Sequence, residues 1–463
     1  MKILYKSKTA LIVVCAVALI SMLNGCGVYD KYQPVSQVPD NLYGSIAADM
    51  EDTANIGNLS WKEFFTDSYL QVLIDTTLAK NTDLRIARLR IEEAEANLLS
   101  SRLSYLPSFA LSPQSTASSS EGKAAYSYSL PATASWEIDI FGRITNTKRA
   151  GEMAYEQSKE YMQAVQTQLI ASTANGYYTL LMLDEQLRIS IATEALWQER
   201  IAAIRAMKQA GLATEAGLAQ AEAACEALSA SILDLREQIN RTENSLSLLA
   251  ADTPHQIARG KLGEQHFPHI LAVGVPAQML SNRPDVRGAE FALAEAFYAT
   301  NVARAAFYPS VTLGGNAGWT SSAGSSIVNP AQFIASSVFS LVQPLFNRGQ
   351  NIAQLQIAKA RQEEARLGFT QALLAAGSEV NDAVKHYQTA REKSGRFEKQ
   401  IASLGKAVRA TRLLMQHGST NYLEVLTAQQ SLLEAQLTQT ANRFEEIQGV
   451  ITLYRALGGG RSL

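Results

Sequence analysis

Asn81-Thr82-Asp83-Leu84-Arg85 returns later in the chain as Asn282-Arg283-Pro284-Asp285-Val286-Arg287. Outward from this pair, Leu106-Pro107-Ser108 returns as Tyr308-Pro309-Ser310, Ile140-Phe141-Gly142-Arg143 returns as Leu345-Phe346-Asn347-Arg348-Gly349, and Gly211 returns as Gly418. The offsets are 202 (83 to 285 and 107 to 309), 205 (141 to 346) and 207 (211 to 418). Because they increase slowly and in order, they predict two copies of one unit that differ by small loop changes.

The positions of the prolines predict very long helices in both units. All 12 prolines lie outside residues 132–253 and 345–463. Since proline costs about 3 kcal/mol inside a helix, two proline-free stretches of this length favour uninterrupted helices. Residues 144–210 would span about 100 Å at about 1.5 Å per residue, and residues 350–416 are similar. Such helices need a partner helix along their length.

A partner surface is visible as an apolar seam along two of these helices. Its residues alternate in steps of four and three, and this period near 3.5 predicts knobs-into-holes packing with a left-handed supercoil. The seam of the first unit contains Leu218, Ala221, Cys225, Leu228, Ile232, Leu235, Ile239, Thr242, Leu246 and Leu249, and that of the second runs from Phe369 to Met415. We therefore expect Cys225 to be a packing residue.

Short alternating segments predict β-strands at matching places, near residues 107–139 in the first unit and 309–344 in the second. Tyr126 and Trp136 belong to a run in which every second residue is apolar, and Val311 and Trp319 belong to a similar run. Period two with an apolar and a polar face is typical of transmembrane barrel strands around a wet lumen. Each unit offers two such strands, so the chain offers four.

Four strands cannot close a barrel. The smallest outer-membrane barrels have about eight strands. An open sheet edge is not tolerated in lipid. If these strands enter a membrane, several chains must share one barrel, and a trimer would supply twelve strands.

The N-terminus has the pattern of an export signal. Lys2, Lys6 and Lys8 precede an apolar stretch from Thr9 to Leu23, which has signal length. The stretch runs into Leu23-Asn24-Gly25-Cys26, which resembles the lipobox of a lipoprotein. Residues 1–25 are therefore expected to be a signal peptide, and Cys26 is the expected site of lipidation. Gly27, rather than an acidic residue, favours sorting to the outer membrane.

The rest of the chain divides into three regions. Residues 26–60 are polar and irregular, which favours a lipidated N-terminal tether. The first repeat is expected over residues 61–253 and the second over residues 254–463.

Composition excludes several other classes of function. A formal net charge of −2 on 463 residues offers no basic surface for nucleic acid. His266 and His269 form the one close histidine pair and have no Cys or third ligand nearby, so we expect no metal site. Phosphate-binding glycine loops and nucleophile elbows are absent from the sequence, so we expect neither an enzyme nor a cofactor other than the lipid on Cys26.

Several motifs together resemble one family, the TolC-like outer-membrane factors. The segment from Val275-Pro276 through Leu280-Ser281-Asn282-Arg283-Pro284-Asp285-Val286-Arg287 to Ala289-Glu290 resembles its "P..LL.RRPDV..AE" motif, with Asn282 where arginine is commoner. Trp61-Lys62-Glu63-Phe64-Phe65-Thr66-Asp67 and Gln343-Pro344-Leu345-Phe346 with Gly349 resemble two further family segments. The resemblance covers nearly all of the mature chain and is to the NodT-type lipoprotein branch that serves resistance-nodulation-division efflux.

The resemblance implies a fold and a set of partners. The expected fold class is mainly α with a small transmembrane β part. A trimeric 12-stranded β-barrel with four strands per chain is continued by a long periplasmic α-helical barrel, internally duplicated. The implied function is a passive outer-membrane channel of a tripartite efflux pump, which conducts drugs or other small toxic molecules to the exterior. The implied partners are two further copies in a homotrimer, a periplasmic adaptor protein, an inner-membrane resistance-nodulation-division pump and outer-membrane lipid.

The hairpin tips at the far end of the helices are the first candidate site. Gly211 and Gly418 lie where a helix has to end, and Thr214 and Asn421 are suitable N-caps for the returning helices. The resemblance places these tips against the adaptor. The expected adaptor-contacting residues are Gly211, Leu212, Ala213, Thr214, Gly418, Ser419 and Thr420.

The second candidate site is the pore constriction. In related ducts a Leu and an Asp one turn later narrow the pore. Leu423 matches the Leu, and Thr427 stands where the Asp would be. A threonine ring is polar and uncharged, so the resemblance implies Leu423 and Thr427 as constriction residues with weak cation preference.

Three alternative functions remain open from the sequence. The same duct shape serves type I protein secretion with an ATP-driven pump, and it also serves heavy-metal efflux with a specialised pump. A lipid-anchored periplasmic coiled-coil tether is the non-transport alternative. That tether does not account for the alternating strand segments.

Overall fold

The computed structural model describes residues 31–34, 42, 56–120, 123–211, 213–267, 282–321, 332–417 and 422–461. The signal peptide, Cys26, Leu212 and the second tip residues Gly418, Ser419 and Thr420 lie outside the described residues.

Eight α-helices and five β-strands make up the described chain. The first unit contains α1 (Trp61–Phe64), α2 (Ser68–Lys80), α3 (Thr82–Leu103), β1 (Ser108–Leu111), β2 (Gln114–Ser120), β3 (Lys123–Ile138), α4 (Arg143–Gln209) and α5 (Glu215–Leu249). The second contains α6 (Pro284–Ala305), β4 (Ser310–Ser321), β5 (Gln332–Val342), α7 (Gln350–Gln416) and α8 (Tyr422–Ala456). Short 3₁₀ turns occupy Ile56–Asn58 and Leu262–Glu264.

The four longest helices show the duplication directly. Helices α4 and α7 each contain 67 residues, and α5 and α8 each contain 35. At about 1.5 Å per residue, α4 and α7 each extend about 100 Å, as the proline-free stretches predict. Asp139 fixes the start of α4, because its carboxylate accepts from the amides of Ile144 at 2.9 Å and Thr145 at 2.7 Å.

The strands form one antiparallel sheet in the order β1-β3-β4-β5, with β2 also paired to β3. β1 and β2 lie end to end along β3, so they are one edge strand interrupted at Ser112 and Pro113. Pro113 has no amide to donate to the ladder, which accounts for the break. The sheet is therefore four strands wide, as expected.

The register of β3 against β4 depends on one glycine. Pro131 lies directly opposite Gly318, and a Cβ at position 318 would lie 2.6 Å from Pro131 Cα. On one face of the sheet Trp136 lies opposite Leu313, and Leu130 lies opposite Trp319. Phe333 continues this apolar face from β5, with its ring centroid 5.5 Å from that of Trp319.

The chain divides into two compact units. Unit 1 comprises Met1–Ser36, Arg90–Ser158 and Gly288–Thr370, and it includes the sheet. Within it, Tyr32 of the expected tether packs edge-on against Phe297 of α6, with ring centroids 5.6 Å apart. This part of the N-terminal segment therefore lies against the protein surface.

Unit 2 comprises Gln37–Leu89, Lys159–Arg287 and Gln371–Leu463. Its core contains an aromatic group in which Phe64 stacks on Tyr454 at 4.0 Å and meets Phe65 edge-on at 4.8 Å. Tyr177 and Tyr178 are also buried in this unit. Cys225 is buried on the seam of α5, and burial raises the pKa of its thiol. A packing role for Cys225 agrees with these findings.

Within the described ranges, no helix combines the length and the apolar character that a membrane-spanning helix requires.

Candidate tip and constriction site

The turn between α4 and α5 is the first hairpin tip, and two residues shape it. Gly211 has φ +74, a left-handed conformation that glycine adopts without cost, and its amide donates to Lys208 O at 2.9 Å. Thr214 caps the returning helix, since its Oγ1 accepts from the Gly217 amide at 3.1 Å. An ion pair between Lys208 and Glu215 crosses the turn.

An apolar cluster, which we call the tip cluster, supports this turn. It joins the end of α4, the start of α5 and the start of α8, and Ala213 packs against its edge. The buried members are Trp197, Ile201, Ile204, Leu218, Ala221, Cys225, Leu228, Ile232 and Leu433. The tip is therefore held by packing up to its last turn, where Gly211 and Thr214 are exposed.

Tyr422 joins the second hairpin to this cluster at the first residue of α8. Burial raises the pKa of its hydroxyl, and the positive charge of Arg200 on α4 partly opposes that shift. Tyr422 thus places Leu423 and the rest of the first turn of α8 close to the first hairpin.

The start of α8 has one buried and one open face. Val425 and Leu426 are buried, whereas Leu423 and Thr427 are exposed on the same side of the helix. Thr427 Oγ1 donates to Leu423 O at 2.9 Å, so its hydroxyl is partly turned onto its own helix. The two expected constriction residues therefore share a face of α8 that no described residue covers.

An acidic residue on this face was missed from the sequence. Glu434 is exposed and lies seven residues after Thr427, a spacing that returns to the same side of a supercoiled helix. The heptad spacing from Thr427 would have identified it.

The most specific sequence motif has a structural role in unit 2. The side chain of Arg283 is 6% exposed and contacts Asp285 at 2.6 Å and Glu379 at 2.9 Å. Its Nη1 donates to Ala456 O at 2.8 Å, at the last residue of α8. Arg283 therefore ties α7, the start of α6 and the C-terminal end of α8 together, and it satisfies a helix-end carbonyl.

Nothing in the described chain forms a group of three or more His, Cys, Asp or Glu side chains that could hold a metal ion. His266 Nδ1 lies 2.8 Å from Glu264 O, and His269 lies outside the described residues.

Comparison with known proteins agrees with the fold and the duplication. A sequence model of the family described as Outer membrane efflux protein matches residues 73–252 and 275–459, once for each repeat. Cation efflux system protein CusC of Escherichia coli (strain K12) is 30% identical over 445 residues, which cover 95% of this chain and 97% of that protein. Pyoverdine export outer membrane protein OpmQ of Pseudomonas putida is 30% identical over 416 residues, covering 86% and 88%.

Solved structures of outer-membrane channels have the same fold. A crystal structure of CusC superposes with a TM-score of 0.86 at 28% identity and covers 94% of this chain and 100% of its own. The outer-membrane channel OprN gives 0.85 at 26% identity, covering 94% and 99%. The expected fold class is thereby confirmed. The chain belongs to the outer membrane efflux protein family, and it is an outer-membrane channel of an efflux pump.

Proposed function

We propose that three copies of this chain form the passive exit duct of a tripartite efflux pump that exports drugs or other small toxic molecules. The observation that carries the proposal is the four-stranded sheet with two open edges, β5 on one side and β1 with β2 on the other. Neither edge is tolerated in lipid, so the sheet needs further copies to close. Three copies supply the expected twelve strands.

The side chains of the sheet suit this role. One face carries Leu130, Trp136, Leu313, Trp319 and Phe339, which are all exposed in the single chain. Lipid is the partner that such a face fits in a closed barrel. Ser129, Thr133, Thr312 and Asn316 alternate with them toward the other face, as a wet lumen requires.

The N-terminus and the tips complete the proposed assembly. Acylated Cys26 would hold the chain to the outer membrane. The first tip offers Gly211, Ala213 and Thr214 to a periplasmic adaptor, and Leu212 with Gly418, Ser419 and Thr420 would complete the contact. The adaptor would join the duct to an inner-membrane resistance-nodulation-division pump, which supplies the energy. No enzymatic step is required of this chain.

We place the pore constriction at Leu423 and Thr427, one turn apart on the open face of α8. Glu434 lies a heptad further along, so it would supply the negative charge that Thr427 lacks. The proposed order along the pore is an apolar ring, a polar ring and then an acidic ring.

A crosslinked pull-down of the tagged protein from whole membranes tests the partners. We expect mass spectrometry to identify a resistance-nodulation-division pump and its adaptor. Recovery of an ATP-binding-cassette exporter instead would assign the duct to type I secretion. Recovery of neither, from a trimeric preparation, would overturn the pump assignment.

Metal-cation efflux is the second candidate, because CusC is named a cation efflux protein and is similar over almost its whole length. Deletion of the gene separates the two candidates. If the chain exports drugs, the deletion strain should be inhibited by lower concentrations of drugs and dyes. If the chain exports metal cations, the deletion strain should be inhibited by lower concentrations of metal salts alone. Complementation by the wild-type chain controls for loss of membrane integrity.

A further inference from the structure

The two helical hairpins, α4 with α5 and α7 with α8, are copies of one unit. Their tips are related by an offset of 207 (211 to 418), and their helices have equal lengths. Helix α4 therefore corresponds to α7, and α5 corresponds to α8. In a closed ring of identical chains, the contact that α4 makes with α8 inside one chain should recur between chains, as α7 against α5.

One hydrogen bond fixes the level at which α4 meets α8 inside the chain, and two further pairs of residues share a cluster or an electrostatic effect at the levels that this bond predicts. Gln186 Nε2 donates to Leu437 O at 3.4 Å. Ile189 and Leu433 pack in the tip cluster. The guanidinium of Arg200 is close enough to Tyr422 to act on the pKa of its hydroxyl.

The offset converts these contacts into a register between two chains. Adding 207 to each α4 residue and subtracting 207 from each α8 residue gives the pairs Lys393 with Ala230, Arg396 with Glu226 and Ala407 with Glu215. Each pair lies on α7 and α5, in that order.

The face of α5 that this register would bring against α7 is exposed in the single chain. On α8, Leu426, Leu433 and Thr440 are buried. Their equivalents on α5, 207 residues earlier, are Ala219, Glu226 and Leu233, and all are exposed, with Leu233 at 63%. The same face of the repeated unit is therefore covered in the second hairpin and open in the first.

The charges on the two open faces are opposite. Arg396 is exposed on α7 and Glu226 is exposed on α5. Their exposed neighbours Lys393 and Glu215 already form ion pairs inside the chain, with Glu445 at 3.4 Å and with Lys208. Arg396 and Glu226 form no ion pair with any other described residue. Small side chains at Ala219 and Ala230 leave room for a helix to approach closely on the α5 side.

We propose that the open face of α5 (Glu215, Ala219, Glu226, Ala230 and Leu233) is covered by α7 of a second copy of this chain, with Arg396 of one chain paired to Glu226 of the next. The inference rests on the proposed trimeric duct, and it adds the register and the charge pair that join neighbouring chains at the tip end.

Disulfide crosslinking tests the register. In a Cys225→Ala background of the full-length protein, we combine Ala230→Cys with Lys393→Cys and oxidise the assembled protein in outer membranes. The proposal predicts bands of two and three chains on non-reducing gels, because a disulfide requires Cα atoms within about 7 Å.

The matched control moves one cysteine two heptads along the same face of α7. Ala230→Cys with Ala407→Cys displaces the pair by about 21 Å, so we expect no crosslink. The oligomeric state is measured separately by native mass spectrometry. A trimer in which only the control pair crosslinks, or neither does, overturns the register and leaves the duct intact. A monomer overturns the proposed trimer itself.

Charge reversal tests the ion pair independently. Arg396→Glu and Glu226→Arg should each lower the temperature at which the trimer dissociates, since each places like charges opposite one another. The double variant should recover most of that loss. If the double variant loses as much dissociation temperature as the two single variants together, the ion pair is excluded.

Discussion

At the scale of single residues, Arg283 joins three elements of unit 2 through one buried side chain. Its guanidinium is almost fully buried and binds two carboxylates and a helix-end carbonyl. We expect Arg283→Met to lower the free energy of unfolding by about 2–3 kcal/mol, because the buried Ala456 carbonyl and both acids lose a charged partner. Urea titration followed by circular dichroism measures this. Arg366→Ala is the control: it breaks an exposed ion pair with Glu363 and should leave the urea concentration at the midpoint of unfolding unchanged.

The contact between Arg283 and Asp285 predicts that the stability of the folded chain depends on pH. Burial acts to raise the pKa of Asp285, but the hydrogen bond and charge of Arg283 outweigh burial and hold the pKa below its ordinary value. A depressed pKa in the folded state stabilises the protein above the unfolded pKa of about 3.9, and this stabilisation is lost as the pH falls further. Asp285→Asn should therefore be less stable than the wild type at pH 7. The difference should shrink in urea titrations below about pH 4, and a constant difference would contradict the assignment.

At the scale of secondary-structure elements, the first tip depends on the backbone of Gly211. Nothing lies within 4 Å of a Cβ built there, so the constraint is the φ of +74 and not space. Gly211→Ala should cost about 1 kcal/mol of local stability, seen as faster hydrogen exchange at the end of α4 and the start of α5. Gly217→Ala lies within α5 and should slow exchange. Equal effects of both variants would contradict a conformational role.

The sheet leaves no room for a side chain at position 318. A side chain there would meet the backbone of β3 at Leu130 and Pro131, which cannot move without breaking the ladder. Gly318→Ala should therefore abolish the heat-resistant trimer in outer-membrane fractions. Gly314→Ala is the control, because its Cβ would lie 3.8 Å from the nearest atom and assembly should survive. Normal assembly of both variants would exclude this register.

Some features of these helices and strands could be predicted from the sequence, and others could not. The long helices were predictable because a single strong rule, the exclusion of proline, acts over more than a hundred residues. The Gly211 cap and the Thr214 N-cap were predictable because their chemistry is local. The break at Pro113 was missed, because alternation alone does not show which strand loses its amide. The contacts of Arg283 also needed the fold, since Glu379 and Ala456 are distant in sequence.

At the scale of the whole molecule, each copy in the proposed trimer contributes one exposed face of α8, so Leu423 and Thr427 would form rings around the pore. Leu423→Ala should raise the single-channel conductance in planar bilayers, because the shorter alanine side chains would leave a wider opening at the proposed constriction. An unchanged conductance in a folded trimer would remove Leu423 from the constriction.

The acidic ring that the sequence motif lacks at Thr427 is expected at Glu434, and ion selectivity distinguishes the two positions. Three carboxylates facing one another attract cations and exclude anions at low salt, where screening extends over tens of ångströms. Glu434→Gln removes that charge with little change in volume, so the reversal potential in a salt gradient should move toward the nonselective value. Thr427→Asp should move it the other way, because it adds a charged ring on the same face of α8. If Glu434→Gln leaves the reversal potential unchanged while Thr427→Asp shifts it, the pore faces Thr427 but not Glu434, and the charge that selects ions must come from another helix.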